Sequence, residues 1–286
     1  MRKNLFYIVL LIAGMAYFGS CSENTDFTPT IYDTDTPYLS DVDQWIRENY
    51  IDVFNIDVVY KWSGIETELD KNLVPPREDT VVPFLKVVKK GWLDTYVALC
   101  GGDVIKPVFP KQLLLLGSSA YNTDGTTTEG TADGGKKVVL YSLDQFNPAD
   151  AANVKSYIRV LHHEFCHILN QKKDYNIAFE QVTPSSYTAT WTNNDSKTAN
   201  AAGFVTPYAM AEPGEDFAEM VAQYVTDTPE EWTALLEGVS TETGKAAIQK
   251  KLELVRTYME ESWNMELDEL RNLVNQAIRE ITEGNY

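Results

Sequence analysis

Residues 147–171 read NPADAANVKSYIRVLHHEFCHILNQ, and the reading of the whole chain works outward from them. Asn147, Pro148 and Asp150 offer a capping side chain, a proline suited to a first helical position and an acid for the first turn. A helix is therefore expected to start at Pro148 and to run to about Gln171. Val154, Ile158, Leu161, Phe165 and Ile168 recur at helical spacing and mark an inward face, while Lys172 and Lys173 suit the negative end of the helix dipole. His163 and His167, four apart, project from one side of that helix about a turn from each other. Imidazoles so placed reach a single zinc ion, and Glu164 sits beside an open coordination position, where a general base is needed. All the histidines of the chain, His162, His163 and His167, lie in this segment. Only His163 and His167 bracket a glutamate in the required frame, which leaves His162 as a packing or supporting neighbour and Cys166 as core.

A second helix is expected from Pro213 to Tyr224, with Glu212, Glu215 and Asp216 at its electropositive start. In Glu215-Asp216-Phe217-Ala218-Glu219 two carboxylates stand four apart, so that Glu215 can complete a two-histidine, one-glutamate metal site while Glu219 hydrogen-bonds a ligand histidine. Two other readings stay open: Asp216 as the ligand, and Glu215 as an acid that merely complements the dipole.

This pairing of motifs resembles the gluzincin peptidases, whose third zinc ligand is a glutamate on a later helix with a second acid one turn on. The segment Glu215 to Glu219 is similar to one shared by lethal-factor-type toxin peptidases and by a family of zinc-binding metallopeptidase lipoproteins encoded beside outer-membrane glycan-uptake systems. The stretch Gly203-Phe-Val-Thr-Pro-Tyr208-Ala209 also looks like the lipoprotein family's pattern. The resemblance is specific over about Ala149 to Gln223. It implies an α+β, zincin-like domain with a small sheet, an active-site helix and a helical C-terminal half. It also implies Zn2+ as cofactor, a peptide or protein substrate, and a role for Tyr208, seven residues before Glu215, in stabilising the tetrahedral intermediate.

The bulk composition agrees with an enzyme-sized folded domain: of 286 residues, 44% are hydrophobic and 12% aromatic, enough for a packed core. The six Trp and sixteen Tyr are read mainly as core. A formal charge of -18 excludes nucleic acid as a natural partner, because phosphate neutralisation needs clustered Lys and Arg. Arg2 and Lys3 precede an apolar run from Leu5 to Phe18, too short for a convincing membrane span, so residues 1–20 read as an export signal. Phe18-Gly19-Ser20-Cys21 resembles a lipobox. On that resemblance Cys21 is lipidated, residues 21–40 form a tether, residues 41–286 form the domain, and the protein is an outer-membrane lipoprotein of the cell envelope. Glu23 and Asp26 point towards surface export. Ordinary secretion with Cys21 kept as a thiol is the alternative. Cys100 and Cys166 are read as separate small hydrophobes, with a single bridge between them as the other option.

Elsewhere the patterns are coarser. Asp41 to Asn49 reads as a short helix, Asp57 to Trp62 as a strand and Thr80 to Leu99 as a helix stopped by Gly101-Gly102. Leu113 to Leu116 and Val138 to Tyr141 read as neighbouring strands joined by a long loop from Gly117 to Lys137, with Val138 to Ser142 or Leu113 to Leu116 as the edge that takes a substrate backbone. Asp174 to Ala202 shows no recognisable element. Thr228-Pro229-Glu230-Glu231 reads as a capping box opening a third helix, and Thr241 to Glu261 and Met265 to Ile281 as two more. Together these features predict a zinc-dependent endopeptidase. The alternative is a non-catalytic surface binding lipoprotein of a glycan-uptake system that keeps the zincin fold.

Overall fold

The motif helix spans Ala151–Lys172 and starts three residues later than expected. Asp150 takes the capping role, its side chain accepting the N–H groups of Ala152 and Asn153, whereas Asn147 accepts from Ala149 in the turn that holds Pro148. Two capping sequences overlap here, and the one nearer the apolar stripe prevails. The computed structural model describes residues 39–64, 71–122 and 125–286. The signal peptide, the lipobox with Cys21 and the tether as far as residue 38 lie outside the described residues.

The main sheet has four strands in the order β1 (Asp57–Val59), β2 (Gln112–Leu115), β6 (Lys137–Leu140), β5 (Gly130–Asp133). The first three are parallel, with Leu113 opposite Val138, and β5 runs antiparallel to β6 on the outer edge. Leu113 to Leu116 and Val138 to Tyr141 are thus neighbours, as expected, but neither is the edge. Both runs are apolar on both faces, with Leu113 to Leu116 at most 2% exposed, and such strands belong in the middle of a covered sheet. The edge falls to the polar Gly-Thr-Ala-Asp of β5. The segment expected to be a long loop carries this strand together with a small two-stranded ladder, β3 (Ala120–Tyr121) and β4 (Thr127–Thr128). The first strand is shorter than the expected Asp57 to Trp62 and ends at Val59.

The helix read from Thr80 to Leu99 runs as Glu78–Val88 and Asp94–Cys100, joined by a π-turn at Lys89–Leu93. That turn lies against the motif helix, and a Cβ on Gly91 would come within 2.3 Å of Ile158 Cδ1, so a larger residue would require the Ile158 side chain to move. His162, fully buried, puts Nε2 3.3 Å from the Gly91 carbonyl and Nδ1 3.1 Å from the Tyr96 hydroxyl. Its Nε2–H donates to the carbonyl and its Nδ1 accepts from Tyr96. Burial pulls its pKa down to about 4, so the ring packs as a neutral group. Cys100 and Cys166 are both free thiols.

The C-terminal half is helical, as read: Pro213–Thr226, Pro229–Gly238, Glu242–Trp263 and Leu267–Thr282. Thr228 and Glu231 form the expected capping box. The stretch from Asp174 to Ala202 is built of turns, a 3-10 turn at Trp191–Asn193 and a short helix Ser196–Ala201 capped by Asp195. Polar turn residues conceal the apolar anchors Phe179 and Ala199, both fully buried.

Candidate metal centre

The motif helix and the helix Pro213–Thr226 pack side by side, and their facing turns bring His163, His167 and Glu215 together. His163 Nε2 lies 2.9 Å from Glu215 Oε2 and 3.1 Å from His167 Nε2, and His167 Nε2 lies 3.4 Å from the same carboxylate oxygen. Tetrahedral zinc with bonds near 2.0–2.1 Å places its ligand atoms about 3.3 Å apart, so this triangle has the size the ion needs. The donor set also suits zinc, with two imidazoles and one carboxylate converging from two packed helices.

The far side of His163 is equally determined. Its Nδ1 donates to Glu219 Oε1 at 2.8 Å, which in the neutral ring selects the tautomer whose Nε2 can bind a metal. Glu219 is itself held by Thr206 Oγ1 at 2.6 Å and by Arg159 Nη2 at 3.1 Å. Burial works against a charged Glu219, but the His163 hydrogen bond and the Arg159 charge outweigh it and hold the carboxyl at about 2. Burial likewise disfavours a charged His163, yet the bonds to Glu215 and Glu219 prevail and lift its pKa to about 10. Such a strong demand for positive charge at one ring is what a divalent cation would satisfy.

Two comparisons bear on this geometry. A family described as "Putative zinc-binding metallo-peptidase" matches residues 35–268. The chain belongs to that family. A crystal structure described as a putative zinc-binding metallo-peptidase from Bacteroides caccae is 37% identical, with a TM-score of 0.72 over 85% of this chain and 93% of that one. No curated protein matches. The mixed α+β fold of this zinc-binding metallo-peptidase family member agrees with that neighbour.

Within this family member, Glu164 is buried beside the histidines. Burial raises its pKa, and the backbone N–H of Ala132 on β5 donates to its carboxylate. Tyr208 stacks on His163 with ring centres 5.9 Å apart, and Trp191 meets Tyr208 edge-on at 5.0 Å. The Tyr208 hydroxyl bonds Glu215, and burial together with that negative charge keeps the phenol protonated and able to donate. Asp216 points elsewhere: it sits 2.6 Å from Lys251 and accepts from Tyr187 at 2.8 Å, so the structure does not support it as an alternative ligand.

Several residues of the site escaped the sequence reading. Arg159 stands four before His163, a spacing that could have flagged it as a neighbour on the same helix face. Lys251 falls on the apolar stripe of Ile248, Leu252 and Val255, a detectable break in pattern. Thr206 lies in the stretch Gly203 to Ala209 that carried the resemblance but had no role assigned there, and Trp191 carries no local signal. Arg159 and Trp191 line, with residues 126–130, a cleft of about 610 Å³ that contains His163, Glu164, Tyr208 and Glu219.

Proposed function

We propose that the protein is a zinc-dependent endopeptidase of the gluzincin type, tethered to the outer membrane through a lipidated Cys21. The reading rests on one observation: two imidazole nitrogens and a Glu215 oxygen converge on a zinc-sized triangle with the Glu164 carboxylate buried alongside. Zinc at this place would supply Lewis-acid activation of water and of the scissile carbonyl.

The chain's own groups do the rest. A peptide laid along the open edge of β5, Gly130–Asp133, is aligned by main-chain hydrogen bonds as an added strand. Glu164 takes a proton from the attacking water and returns it to the leaving amine, and burial tunes its carboxyl upward for both roles. Tyr208 donates its phenolic proton in a hydrogen bond to the developing oxyanion. Glu219, braced by Arg159 and Thr206, keeps His163 in the tautomer that binds metal.

The test is metal analysis of the purified protein combined with digestion of a mixed peptide library, run zinc-loaded, chelated and as Glu164→Gln. Zinc near one equivalent with cleavage lost on chelation supports the reading. Bound zinc with no cleavage of any peptide overturns it in favour of a binding role. Release of a Cys21→Ala protein from the membrane fraction tests the anchor.

A further inference from the structure

Beyond the metal ligands the cleft continues towards the start of the motif helix, between that helix and residues 126–130, and two cationic side chains line it, Lys155 and Arg159. Lys155 is neutralised twice over, 2.8 Å from Asp227 and 2.7 Å from Glu231. Arg159 is not. Its guanidinium is a planar fork of five N–H donors, and among the described residues it makes a single end-on bond, from Nη2 to Glu219 Oε2. Glu219 does not need that donor for satisfaction, since it already accepts from His163 on one oxygen and from Thr206 on the other. The fork therefore has capacity to spare, on a side chain that is partly exposed within the cleft.

Its position matters as much. Arg159 precedes His163 by four residues, about 6 Å along the helix axis and on the same face. In an extended peptide that distance is about two residues from the scissile bond. Glu129, exposed on the strand side of the same cleft, repels an anion and so confines it to the helix side.

Resting on the peptidase reading above, we infer that Arg159 is a specificity residue whose open guanidinium fork receives a carboxylate of the bound peptide within two residues of the cleaved bond. The carboxylate is either an Asp or Glu side chain or the free C-terminus of the peptide. Arginine suits either source, because two parallel N–H groups match two carboxylate oxygens.

The experiment uses the zinc-loaded full-length protein and matched peptides carrying Glu or Gln at each position flanking the cleavage site, each with a free or an amidated C-terminus. The quantity read is the ratio of kcat/KM within a pair, so that any loss common to both peptides cancels. Wild type is expected to favour Glu over Gln, or the free over the amidated terminus, by about tenfold or more, as a charge-assisted bidentate contact would give. Arg159→Gln should bring the ratio to about one, Arg159→Lys should keep part of it, and Arg159→Glu should invert it towards a Lys-containing peptide. Preference at an internal position assigns the carboxylate to a side chain, and preference for the free terminus assigns it to the chain end. Binding of the same pairs to zinc-loaded Glu164→Gln protein by fluorescence anisotropy gives a readout independent of turnover. Cleavage without any carboxylate preference, or a preference that survives in Arg159→Gln, overturns the inference while the peptidase reading stands. Carboxylate-dependent binding that Arg159→Gln abolishes, with no cleavage of any peptide, removes the peptidase reading and keeps only the carboxylate contact to Arg159, and neither binding nor cleavage removes both.

Discussion

The carboxylate of Asp216 and the ammonium of Lys251 meet at 2.6 Å with neither side chain exposed, one residue along the chain from Glu215. Lys251 also donates to the Gly203 carbonyl at 2.9 Å and lies 3.7 Å from the centre of the Phe204 ring. Three segments are thereby joined at one buried ion pair: the helix bearing Glu215, the long helix Glu242–Trp263, and the irregular stretch that leads to Tyr208.

Removing one partner leaves the other charge stranded. Lys251→Met is expected to cost about 3–5 kcal/mol in urea unfolding, and Asp216→Asn combined with Lys251→Met should recover part of it. Equal losses in the single and double variants would show that packing, and not charge, dominates there.

Glu164→Gln keeps the shape and loses the proton acceptor. Turnover should fall by about 10²–10⁴, with zinc content unchanged by metal analysis. A variant that lost its zinc in parallel would make Glu164 structural.

Tyr208→Phe removes one donor from the edge of the site. About a 10²-fold fall in kcat with little change in KM is expected if the hydroxyl serves the oxyanion. An unaltered rate would reduce Tyr208 to a ring that packs on His163.

Glu219→Gln weakens the grip on His163 without touching the metal triangle. Zinc affinity, measured by competition with a chromogenic chelator, should drop about 10–100-fold. A dissociation constant that stays put would mean that the Glu219 charge is not needed to hold the ring for the metal.

In the chelated protein the two carboxylates raise the His163 pKa to about 10 from an ordinary 6.5. The charged ring then stabilises the fold in full below pH 6.5 and loses that contribution as pH rises through about 10. Zinc binds only the neutral ring, so uptake at pH 7 must release about one proton, and apparent affinity should climb between pH 6.5 and 10. Calorimetry in buffers of different ionisation enthalpy counts the protons, and a count of zero contradicts the charge state assigned to His163.

The sequence alone was enough for the motif helix, for the pairing of its two histidines and for the carboxylate spacing of Glu215 and Glu219. Each of these is local, written in residues four apart on one helix, where backbone geometry by itself sets the direction of a side chain. The C-terminal helices were legible for the same reason, since caps and apolar stripes are short-range signals. Tertiary structure decided what depends on distant segments meeting. It set β5 and not β2 or β6 at the sheet edge, because a short polar strand gives no sign of its pairing until the apolar strands claim the centre. It turned Asp216 towards Lys251, brought Thr206 and Arg159 to Glu219, and set Trp191 against Tyr208. Contacts of that kind span tens of residues and are selected by packing and by the need to satisfy buried charge, which no single stretch of the chain encodes.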